Sequence, residues 1–188
     1  MNFHSLLVFV HVLGAMGLFA AAGIEAVALG RLRRAETSAG VRVWLELLQA
    51  SGRLGPAAML AVFASGIWMG VTVWGHQWWM FDAFLATLAM GALGGGVTSR
   101  HVRKLSRALS VGAGPEQSEM FRSLLSAKAL VVSLRLRIAL GIGIVGLMTL
   151  KPPPALSALI LAASVAAGLG ASLFPRAASA APAEVREA

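Results

Sequence analysis

Long apolar blocks separated by short basic segments dominate the chain, and their lengths decide its class. A helix crossing a hydrocarbon layer of roughly 30 Å needs about 20 mostly apolar residues, because every backbone polar group has to be satisfied inside the segment. Five stretches approach that length: 5–30, 54–74, 81–99, 129–150 and 155–174. They predict an all-α fold, a polytopic transmembrane helix bundle with a four-helix core plus a fifth C-terminal transmembrane helix. One bundle over 1–175 uses nearly the whole length, so a single domain is expected, with the Ala-rich stretch 176–188 as a disordered cytoplasmic tail.

The segments between the spans carry their own signals. From Val41 to Leu54, Trp44, Leu45, Leu47 and Leu48 alternate with Arg42, Glu46 and Gln49 at near-helical spacing. This segment either lies on the membrane surface or extends the second helix inward, and Gly52 with Gly55-Pro56 favours a break before the second span. Trp74-Gly75-His76-Gln77-Trp78-Trp79 is a short loop, and Trp68, Trp74, Trp78 and Trp79 form an aromatic belt at that face. The longest connection, Arg100 to Lys128, contains Gly112-Ala113-Gly114-Pro115-Glu116, after which a short helix from about Glu116 is expected. Lys151-Pro152-Pro153-Pro154 makes a stiff turn. Gly66 with Gly70 and Gly91 with Gly95, each pair four residues apart, predict close helix approaches. The same glycine-rich faces suit a membrane-protein partner or a homo-oligomer.

Charge refines the topology. Of 16 Lys and Arg residues, Arg31, Arg33, Arg34, Arg42 and Arg53 lie between the first two spans, and eight more lie from Arg100 to Arg137. Arg176 and Arg186 are in the tail, and Lys151 alone falls on the other side. The positive-inside rule then places the N-terminus outside and the C-terminus in the cytoplasm of a bacterial inner (plasma) membrane. The net charge of +8 is therefore a threading signal and an anionic-lipid contact, with no nucleic-acid partner implied. The absence of cysteine excludes disulfides and thiolate metal sites. The first apolar run lacks a basic leader and continues past Ala20-Ala21-Ala22, so it reads as a retained helix.

Ionisable groups at membrane depth are the candidates for chemistry. His11 lies about two turns into the first helix; His4, seven residues earlier, is roughly 10 Å away by helix rise, too far to share a metal ion with it. His11 suits a single axial ligand to haem b, or else a hydrogen bond to a neighbouring helix. His76 and Asp82, at the two ends of the loop, together with His11 form a candidate set for copper, zinc or a second haem ligand; otherwise His76 is a solvated loop residue. His101 is read as interfacial. Glu25 lies about 9 Å deep and calls for a structural ion pair with Arg135 or Arg137. The alternatives are snorkelling arginines, or an arginine, Arg135 included, on a haem propionate. Gly141-Ile142-Gly143-Ile144-Val145-Gly146 satisfies G-x-G-x-x-G but lacks a preceding strand, which excludes dinucleotide binding.

Leu6 to Ala15, centred on His11, and the fourth-span ending Leu147-Met148-Thr149-Leu150-Lys151-Pro152 resemble a bacterial family of predicted integral membrane proteins of unknown function. That family is similar to the copper-resistance protein CopD and the protoporphyrinogen oxidase HemJ, and the likeness covers roughly the first four helices. In those relatives a first-helix "LHVL" histidine is followed by a tryptophan and paired glycines; Leu18, Ala20 and Ala21 stand there in this chain. The resemblance to HemJ implies a haem-b-binding bundle acting on a porphyrinogen, and that to CopD implies copper handling. The leading expectation is haem b on His11 for electron transfer or porphyrin oxidation, with Lys151 contacting a propionate or substrate. The others are copper or small-solute binding or transport, and a structural subunit of a larger membrane complex. No catalytic residue is assigned.

Overall fold

The computed structural model describes residues 2–112 and 119–173. Among these, every regular element is helical: α1 (Phe3–Leu32), α2 (Ser38–Met69), α3 (Trp78–Leu93), α4 (Ser99–Ser110), α5 (Glu119–Leu125), α6 (Lys128–Leu150) and α7 (Pro154–Leu173). Two π-helical turns, Gly70–Trp74 and Gly94–Thr98, extend α2 and join α3 to α4. Five helices are long and apolar enough to cross a membrane. The protein is thus an all-α bundle of the membrane class. The expected helix start at Glu116, the residues Ala113 to Glu116, and Arg176 and Arg186 with the rest of the tail lie outside the described residues.

Of the two courses open to Val41–Leu54 the structure takes the extension of the second helix, without the break that the glycines and proline favoured. No break occurs at Gly52 or Gly55-Pro56; one helix runs from a Thr37 cap, whose Oγ1 accepts from Gly40 N at 3.2 Å, straight through Pro56. Proline costs that helix the bond to the Gly52 carbonyl and crowds the turn before it. The helix is held from both sides of the proline: Val41, Leu45 and Leu48 are buried below it, and α1 packs along its length. With its π turn, this rod of 37 residues is about 55 Å long, well beyond a bilayer core. The third span likewise continues past the expected end to Ser110.

The surplus length carries a core of its own at the arginine-rich end of the bundle. Ala28, Leu29 and Leu32 of α1, Val41, Leu45 and Leu48 of α2, Val102 and Leu105 of α4, Phe121 of α5, and Leu130 and Leu134 of α6 form one buried cluster. Strong amphipathicity explains α4's part in it: Arg100, Arg103, Lys104 and Arg107 are exposed while Val102 and Leu105 point inward. A Gln49 Nε2 to Ser106 Oγ bond of 3.1 Å ties α2 to α4.

Towards the tryptophan-rich end the helices separate into two sets. α1 lies on α2, α3 lies on α6 with α7 behind, and α2 meets α3 only sparsely. The closest backbone approaches occur at glycines other than the expected pairs. A Cβ on Gly14 would lie 3.0 Å from the Ala58 carbonyl, and one on Gly168 would lie 2.9 Å from Leu136 Cα. Gly66, Gly70 and Gly91 instead make room for the side chains of His11, Met80 and Met59, and Gly95 faces open space. Trp68, Trp74 and Trp78 are exposed as a belt requires, whereas Trp79 is buried, 6.0 Å from the Trp74 ring.

Candidate functional site

The gap between the two helix sets is a cavity of about 920 Å³. Its α6 wall runs from Arg137 to Thr149, about 18 Å by helix rise. Apolar side chains dominate the lining; His11, His76, Gln77, Thr87, Thr149 and Arg137 are the polar groups in it. That size and character match sites for small molecules and cofactors, which lie between helices and carry few, placed polar groups.

His11 projects from α1 and is held by a defined set of neighbours. Its Nδ1 lies 3.1 Å from Ser65 Oγ on α2. The Ser65 hydroxyl donates to the Ala61 carbonyl at 2.5 Å, one turn earlier, so towards the imidazole it acts as acceptor. The Nδ1 therefore carries the proton. Nε2 is left with its lone pair, the tautomer a metal-ligating histidine needs when its other nitrogen is fixed by a partner. Gly66 completes the seat, since a Cβ there would come 3.2 Å from the ring's Cε1.

At the opposite end Arg137 lines the cavity floor, and three buried polar side chains stand behind it. Arg137 of α6 pairs with the buried Glu25 of α1, and its Nη2 also donates to Thr98 Oγ1 at 3.2 Å. Thr98 Oγ1 donates to Glu25 Oε1 at 3.2 Å, and Ser133 Oγ donates to the Leu93 carbonyl at 3.2 Å. A carboxylate at this depth is costly alone, and the guanidinium and hydroxyl neutralise and solvate it. The π turn Gly94–Thr98 places Thr98 here, directly above the buried cluster.

The remaining candidates separate. His76 lines the cavity mouth, exposed, in the loop. Asp82 accepts from Ser157 Oγ of α7 and so is turned to the back of the bundle. Among the described residues no three His, Asp or Glu side chains gather into a metal-sized group, so the set His11, His76 and Asp82 does not assemble. Arg135 donates to the Ala171 carbonyl of α7 and does not line the cavity; Arg137 does. Lys151 caps α6 in a left-handed conformation (φ 47°) and sets its Nζ 3.7 Å from the Trp74 ring centroid, at the tryptophan-rich rim. His4 is exposed near the start of α1, and His101 bonds its own helix through the Val97 carbonyl at 2.9 Å.

Sequence reasoning missed Ser65, Thr98 and Ser133. Each is a hydroxyl inside an apolar span, the kind of residue that bonds across helices in lipid, and that position was the available signal. No family model, curated protein or solved structure compared with the chain matches it.

Proposed function

We propose that the protein binds haem b in the cavity, where His11 would hold its iron. One observation carries the reading: a neutral imidazole, its tautomer fixed by Ser65, offers Nε2 to a largely apolar space of about 920 Å³ between helices. The residues fit the group. Phe19, Ile144 and Met90 supply apolar walls for a macrocycle, and the rim carries Gln77, Thr149 and, beside it, Lys151 for propionates. A bound haem supplies one-electron chemistry, which suits electron transfer or porphyrin oxidation. His11 holds and orients the group, Ser65 raises its basicity, and the apolar walls limit water. In this reading the tryptophan-rich end faces outside and the arginine-rich end the cytoplasm, and the chain belongs with the relatives of HemJ and CopD.

Purified protein titrated with haem should develop a Soret band at one equivalent that His11→Ala removes while the helical circular dichroism is kept. A band of equal intensity in His11→Ala, or none in the wild type, would sink the assignment.

A second reading rests on a separate observation. Met16, Met80, Met90 and Met148 line the same cavity as His11 and His76. Thioethers are soft donors that select Cu(I), and imidazole binds copper as well. Copper handling predicts a Cu(I)-dependent rise in Tm of haem-free protein; an unchanged Tm would count against it.

A further inference from the structure

The floor of the cavity holds a donor that nothing in the protein uses. Of the five N–H groups of Arg137, Nε donates to the Ser133 carbonyl at 3.4 Å and Nη2 serves Glu25 and Thr98. Nη1 has no hydrogen-bond partner among the described residues. No buried side-chain nitrogen or oxygen lacks a partner there, so Nη1 is accessible, and the space Arg137 lines is the cavity. It sits against Gly94, where a Cβ would come within 3.3 Å of it. The glycine and its π turn thus leave the nitrogen its room.

The charge state of the floor selects the guest. Glu25 already balances Arg137, so an anionic guest would leave a net negative charge at membrane depth, which is costly. A neutral acceptor oxygen meets the free N–H groups without that cost. The walls decide the rest of the molecule: Met16, Phe19, Phe84 and Val145 line the cavity and are accessible in it. A guest that fills this largely apolar space, between helices of the membrane class, is itself lipid-soluble. Glu25 lies 14 residues beyond His11 on α1, about 21 Å by helix rise, so this end is distinct from the imidazole.

We propose that the Arg137 end of the cavity binds the carbonyl oxygen of a neutral, lipid-soluble molecule, with Arg137 Nη1 as donor. A quinone head and the acyl ester of a membrane lipid share this chemistry. Phe19 is a wall for both guests, so binding is read on haem-free protein, where failure of the haem reading leaves this test intact.

The test uses the full chain in detergent, with decyl-benzoquinone as probe and mass spectrometry of retained lipids. Gly94→Val crowds Nη1 and leaves the ion pair in place; Gly95→Val, where a Cβ meets nothing within 4 Å, is its control. The double change E25Q/R137M removes the donor without stranding a charge. Loss of one hydrogen bond from a charged donor weakens binding about tenfold or more. Probe affinity falling by that factor in Gly94→Val and E25Q/R137M, with Gly95→Val unchanged, supports a quinone-type guest. The bound probe's carbonyl infrared band should also lie below that of the free probe, and return towards it in E25Q/R137M. A probe that does not bind, with an ester lipid retained by the wild type and lost from both variants, supports the lipid as source. Equal binding of probe and lipid by wild type and variants, or neither held by the wild type, overturns the proposal.

Discussion

The two ends of the bundle are built on different principles. At the arginine-rich end, side chains of α1, α2, α4, α5 and α6 interdigitate around Leu32, Leu105, Phe121 and Leu130, all fully buried, as in a water-soluble protein. At the tryptophan-rich end α1 and α2 stand apart from α3 and α6, and large apolar side chains such as Phe81 and Val71 are exposed. The difference follows from the solvent. Outside the bilayer apolar area has to be hidden from water, whereas within it lipid is as good a neighbour as leucine and a gap between helices carries little hydrophobic penalty. The closed end holds together the helices that stand apart around the cavity at the open end.

The Glu25–Arg137 pair lies at the boundary, and breaking it is the most severe way to damage the arrangement. Glu25→Ala leaves a half-buried guanidinium without its carboxylate and should cost about 3–5 kcal/mol, read as a fall in unfolding free energy in detergent. The double change E25A/R137A should recover part of that loss. A single variant as stable as the wild type would mean that the pair does not join the two ends.

Next in size comes the core itself. Leu105→Ala should cost about 2–5 kcal/mol, because a cavity opens in a packed cluster. Leu88→Ala, on an exposed face of α3, should cost less than about 0.5 kcal/mol. Equal losses at both positions would erase the contrast between the ends. Ser65→Ala, at the open end, should leave folding intact and weaken haem binding by about 10–100-fold, since it frees the imidazole tautomer. A haem titration of the variant measures this directly. A small effect is also expected at the rim: Lys151→Gln removes a cation held over Trp74 and should cost about 0.5–1 kcal/mol of stability.

Hydropathy made the five spans legible, because the demand for backbone satisfaction in lipid is written in length and composition alone. It could not show the cavity: Phe19, which lines it, and Phe9, exposed outside it, are equally apolar in sequence. The continuity of α2 was hidden for a similar reason. Gly52 and Gly55-Pro56 are local signals, and the packing that overrides them comes from α1 and the buried cluster. Glu25 advertised its need for a cation through its depth. Which arginine answers depends on the facing of α6, where Arg135 and Arg137 lie about 200° apart around the axis and only Arg137 lines the cavity. Ser65 is 54 residues from His11, so their bond exists only once α1 lies on α2.

The central claim is that the open end is a haem site reached through His11 while the closed end is solid. The chain has no cysteine, so a single one reports one place. Ala15→Cys lies in the cavity wall one turn from His11, and Ala28→Cys lies in the buried cluster on the same helix. Labelling with methyl methanethiosulfonate should modify Cys at position 15 and leave position 28 untouched. Haem should protect position 15, and the protection should vanish when His11→Ala is added. Labelling of position 15 that haem leaves unchanged, or that haem blocks equally without His11, would contradict the account.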